Sequence, residues 1–155
     1  MKLNYGNLNA KQKAIWDQNF ANGCGKKGSF LKPPDWIFKA SCNHHDFNYW
    51  LGGKEADRLK ADYQFYEGMQ NDINDAFPED DLRPATRLQK IMFKINLWKP
   101  IKRISKKLFM KSQAWLYFQA VRRYGKHPKL GGFQFGEKKE WVHFNRLIEP
   151  YMKGE

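Results

Sequence analysis

Residues 42–50 read CNHHDFNYW, two histidines and an aspartate set in an otherwise largely apolar run. Imidazole beside carboxylate is the material of general-base catalysis, and His45 is the better placed of the two rings. Phe38, Cys42, His45 and Tyr49 recur at intervals of four, three and four, so in a helix they share one stripe with Asp46 at its margin. Asn43, His44 and Asn48 then point elsewhere, and His44 is expected in solvent. Further along, Asp62 falls on the apolar stripe of another helical stretch, among Leu59, Phe65, Tyr66 and Met69, where an unpaired carboxylate would be costly. Two partners compete for it: Arg58 on its own helix, and His45 across a turn at Gly52 and Gly53. His45 lies seven residues before Gly52 and Asp62 nine after Gly53, so in an antiparallel pair both stand roughly 10–14 Å from the turn. A histidine held by a carboxylate at that height is a base whose tautomer is fixed.

Asp46 needs a separate reason. One turn upstream is Cys42, and the other cysteine, Cys24, sits in the glycine-punctuated stretch ANGCGKKGSF. Two thiols do not make a disulfide scaffold, and they are too few for a zinc site without histidine. If they are bridged, the glycine stretch is stapled against the helix that carries His45, at a gain of about 3 kcal/mol where geometry permits. Their redox state is left open by the sequence. Glycine-rich backbone offers carbonyl oxygens, and carbonyls with one carboxylate suit a hard cation such as calcium.

The elements that must hold these groups are helices, in a single all-α domain over residues 1–155. A first helix is expected from about Asn9 to Phe20, capped by Asn9. LKPPDWIF marks the start of a second near Asp35, and Gly52 and Gly53 stop it. The third runs from about Lys54 to Asn71, with Leu59, Tyr63, Tyr66 and Gln70 at helical spacing, and packs antiparallel on the second to carry the site. NDAFPEDDLRPAT is expected as a surface loop. RLQKIMFKINLW and IKRISKKLFMKSQAWLYFQAVRRYG are expected as amphipathic helices, broken at Pro100 and closed by Gly125, in a basic segment over about 86–125. HPKLGGFQFGEKKEW suggests a short hairpin, and VHFNRLIEPYM a last turn or two of helix.

The formal charge of +12 is concentrated. Residues 82–136 hold fourteen Lys and Arg and no acidic residue, which calls for an anionic partner, either a phospholipid surface or nucleic acid. Trp98, Lys99, Lys102, Arg103, Lys106 and Lys107 lie where a helix with one cationic and one apolar face, carrying Ile101, Ile104 and Leu108, can rest on an anionic bilayer. No apolar run reaches the ~20 residues of a membrane-spanning helix. The opening MKLNYGNLNAKQKAIW lacks the apolar stretch of a secretory signal, so the expectation is a protein that stays inside the cell, or one exported by a signal outside this sequence.

Taken together, GCGKKG, then FKASCNHHDFNYW, then RLKADYQFYEGM resemble the calcium-dependent phospholipase A2 family, in particular its compact bacterial and fungal branch. The resemblance covers about a third of the chain, from Asn22 to Met69, with a fainter likeness in LYFQAVRRYG and GGFQFG. It implies that His45 draws a proton from the water attacking an sn-2 ester, that Asp62 orients His45, and that Tyr49 bonds near that carboxylate. It also implies that Asp46 holds calcium together with backbone carbonyls of Gly23, Gly25 and Lys27. Lys26 and Lys27 depart from the pattern and weaken attraction for a cation. A phospholipase-like fold that binds lipid without turnover is therefore one alternative. The other is a nucleic-acid-binding protein or metallonuclease built on the basic segment with His44, His45 and Asp46.

Overall fold

The computed structural model describes residues 2–24, 34–78, 98–127 and 132–152. A 3-10 turn at Tyr5–Asn7 precedes five helices: α1 (Ala10–Asn19), α2 (Asp35–Leu51), α3 (Glu55–Ala76), α4 (Trp98–Tyr124) and α5 (Trp141–Met152). The fold is all-α among the described residues, and its centre is the packed pair α2 and α3.

Local chemistry sets most helix ends. Asn9 caps α1 through a reciprocal box, its side chain accepting from Gln12 N while Gln12 Oε1 accepts from Asn9 N. Pro34 occupies the N-cap of α2, and the side chain of Asp35 lies outside the described residues. Gly52 stops α2 with a φ of 74°, and a Cβ there would meet Gln134 O at 2.4 Å.

α2 is buried on two sides, which explains its density of apolar residues. One side, with Phe38 and Cys42, joins Phe65, Met69 and Ile73 of α3 and Met110, Ala114 and Tyr117 of α4. The opposite side, with Phe47 and Leu51, joins Trp16 of α1 and Phe144 and Ile148 of α5. His45 and Tyr49 lie on the flank that meets α3.

Several expectations are corrected. α3 extends past Asn71 to Ala76, because Ile73 and Phe77 continue the buried stripe of Phe65 and Met69. The first residues of the expected surface loop are therefore helical, and 79–86 lie outside the described residues. That stripe also excludes Tyr63, which is exposed. The expected helix at 87–98 lies outside the described residues except at Trp98. α4 does not break at Pro100, which occupies the first turn, where an N–H has no intrahelical acceptor. In place of a hairpin, residues 132–139 form a strap across the α2–α3 turn, with one parallel bridge between Gly53 and Phe135. The strap donates from Gln134 N to Tyr49 O (3.3 Å) and from Lys139 N to Leu51 O (2.8 Å). The closing helix is three turns long rather than one or two, anchored by Phe144 and Ile148.

Candidate active site

Asp62 is fully buried and lies on the face of α3 turned toward α2. Its Oδ1 is 3.3 Å from His45 Nε2 and accepts from the Tyr49 hydroxyl at 2.6 Å. Its Oδ2 accepts from Arg58 Nη1 at 2.7 Å. Both partners weighed from the sequence are thus engaged at once, one on each oxygen. The carboxylate is met by donors from two helices, which answers the cost of burying it.

The His45 ring lies between aromatic neighbours, stacked on Phe65 at 4.6 Å and tilted against Tyr49 at 4.0 Å between centroids. Burial pulls its pKa below the ordinary value, while the bond to Asp62 pulls in the opposite direction. A neutral imidazole with Nε2–H committed to Asp62 leaves Nδ1 as the basic nitrogen. Tyr49 stays protonated: burial first, then Asp62, raises its hydroxyl above the usual phenol range. The hydroxyl donates to Asp62, and its oxygen accepts from the Arg58 guanidinium.

Tyr49 is itself walled in by groups remote in sequence. Phe133 of the strap meets its ring edge-on at 5.5 Å. Gly125, just after α4, lies so close that a Cβ there would sit 2.2 Å from the hydroxyl oxygen. The carbonyl of Gly125 in turn accepts from Phe133 N at 2.8 Å.

One turn along α2, Asp46 faces a different neighbour. Its Oδ2 accepts from Asn22 N at 2.8 Å, and the Gly23 amide also bonds the carboxylate. Cys24 and Cys42 form a disulfide with Cα atoms 5.2 Å apart, so the chain entering the glycine stretch is pinned beside Asp46. Burial pushes the Asp46 carboxyl up to about 7, with the two amides pulling it down. The carboxylate therefore has dipoles but no full positive charge to balance it among its named partners. That imbalance, and the oxygen chemistry of a carboxylate beside a backbone turn, fit a hard divalent cation. Gly23 is described, with a φ of 66°; Gly25 and Lys27 lie outside the described residues. No cluster of three or more His, Cys, Asp or Glu side chains occurs among the described residues, so backbone oxygens would have to complete any such site.

The other expected residues divide. His44 is not in open solvent: it is half-buried with its ring on Tyr5 at 5.1 Å, and burial lowers its pKa. Trp98, Lys99, Lys102 and Arg103 lie in the first turns of α4, with side chains outside the described residues. Lys107 donates to Phe77 O at 3.0 Å, serving the C-terminal end of α3. Lys106 stands over the rings of Trp36 (5.2 Å) and Phe77 (5.8 Å). The apolar surface of α4 lies further on, at Leu108, Phe109, Trp115 and Leu116, each 46–61 % exposed and opposite the buried Met110, Ala114 and Tyr117. Arg58 apart, the supports of the site escaped the sequence reading. Glu55 had a local signal, three residues before Arg58, whereas Gly125 was legible only as a helix stop and Phe133 only within the faint likeness of GGFQFG.

Comparison with protein-family models, with curated proteins and with solved structures found no match.

Proposed function

We propose that the protein hydrolyses the sn-2 ester of glycerophospholipids at an anionic lipid surface, as a phospholipase A2-like carboxylic ester hydrolase. The observation that carries this reading is the buried Tyr49–Asp62–His45 constellation, with one ring nitrogen committed and one left basic. His45 Nδ1 takes a proton from water as its oxygen adds to the ester carbonyl, then returns that proton to the leaving glycerol oxygen. The products are a free fatty acid and a lysophospholipid. Asp62 keeps the ring oriented and stabilises the imidazolium between the two transfers.

Calcium is the proposed cofactor, held by Asp46 with backbone oxygens near Gly23, and when bound it supplies positive charge against the negative charge that develops on the ester oxygen. The lipid surface would meet α4, whose exposed Leu108, Phe109, Trp115 and Leu116 lie in a stretch without a single acidic residue. Among the described residues no helix is long and apolar enough to cross a membrane.

The test is hydrolysis of mixed anionic vesicles by the parent and by His45→Gln, with and without a chelator. Loss of a general base should lower turnover about 10²- to 10⁴-fold. Equal activity in both proteins ends the catalytic proposal. Vesicle binding without products points to an inert lipid-binding module, which the lysines beside the glycine stretch favour. Salt-sensitive retention on DNA with no response to lipid points to a nucleic-acid-binding protein.

A further inference from the structure

Arg58 is 2 % exposed, and its guanidinium sits between two carboxylates of its own helix. Nη1 donates to Asp62 Oδ2 at 2.7 Å; Nε and Nη2 donate to Glu55 Oε2 and Oε1 at 3.0 and 2.9 Å. Glu55 is partly exposed, and Lys126, in the turn after α4, reaches its Oε1 at 2.9 Å. Charges therefore alternate inward from the surface: Lys126, Glu55, Arg58, Asp62, and then the imidazole of His45. The spacing follows from the helix, since residues three and four apart stack on one face.

We propose that Arg58 is a positioning residue for the general base, holding the Asp62 carboxylate at one rotation so that Oδ1 faces His45 Nε2, with Glu55 and Lys126 as the outer posts of the clamp. A carboxylate gripped at Oδ1 alone turns about its terminal bond; a second grip at Oδ2 stops it. Lysine does not replace this fork, because one ammonium lacks the planar donors that serve two carboxylates in fixed directions. The inference rests on the hydrolase reading for its kinetic consequence but not for its structural one.

The experiment pairs Arg58→Lys and Arg58→Gln with the parent. Activity is read on a monomeric short-chain phospholipid, so that surface binding does not enter, and the tautomer of His45 is read from its ring nitrogen NMR shifts at fixed neutral pH. Both variants are expected to lose on the order of 10²-fold in kcat with KM unchanged, as for a misaligned catalytic group. In both, the single Nε2–H tautomer of the parent gives way to a mixture. A folded variant with a lower melting temperature but parental kcat and a single tautomer would show a merely structural role and overturn the proposal. Should Arg58→Gln not fold, Arg58→Lys decides by itself: lowered kcat with mixed tautomers supports the clamp, and parental values overturn it. A parent that hydrolyses no ester sinks the hydrolase reading alone, because the tautomer measurement still tests Arg58.

Discussion

Two acids on the paired helices α2 and α3 meet opposite fates. Asp62 has an arginine; Asp46 has two amides and a pKa near 7. Because folding raises the Asp46 value from 3.8 to about 7, the folded state binds the proton more tightly. That contribution to stability is full below about pH 4 and is lost as pH rises through 7. Asp46→Asn should therefore melt above the parent at pH 8 without divalent cations, and alongside it near pH 4, by calorimetry. Calcium should raise the melting temperature of the parent at pH 8 and leave the variant unmoved. A variant no more stable than its parent at pH 8 would show that the carboxylate has a compensating charge outside its named partners.

The helices set the second group of expectations. Helical rise is fixed, so the equal heights of His45 and Asp62 were readable from a turn whose position Gly52 announces. The ends of α3 and α5 were harder. Asn71, Asp72, Asn74 and Asp75 look like loop, yet Ile73 among them and Phe77 at the cap are buried and carry the helix on. Pro150 argues for an early stop, but Phe144 and Ile148 dock α5 against Phe47 and Leu51 before the proline matters. In each case tertiary burial decided against local preference. On α4 the predicted contact with lipid is testable by Trp115 fluorescence, which should shift to the blue with anionic vesicles and less with zwitterionic ones. Leu108→Ser with Leu116→Ser should weaken vesicle binding roughly tenfold or more, at little cost in folding, because both are exposed. Unchanged binding would remove α4 from the proposed interface.

At the scale of the whole molecule, the site depends on contacts that no local pattern announces. The strap has no apolar periodicity to flag it, and its bonds to Tyr49 and Leu51 are between backbones, which carry no side-chain signature. Gly125→Ala would press a methyl into the Tyr49 hydroxyl. A cost of about 1–3 kcal/mol is expected in denaturant titration, with a larger relative loss in hydrolysis than the stability change accounts for. The disulfide acts at the same scale: with a sequence separation of 18, replacing Cys42 by serine should lower stability by about 3 kcal/mol in denaturant titration.

The strap begins seventy residues after Asp62 in the chain. During synthesis, His45, Asp46 and Asp62 therefore emerge from the ribosome well before Phe133 can close against Tyr49. A nascent chain halted near residue 120 would hold every proposed catalytic group and still lack the Phe133 ring and the Gly125 backbone that wall in Tyr49. The order of translation thus sets the order of assembly: the helix pair comes first, and the wall that Phe133 builds against Tyr49 comes last.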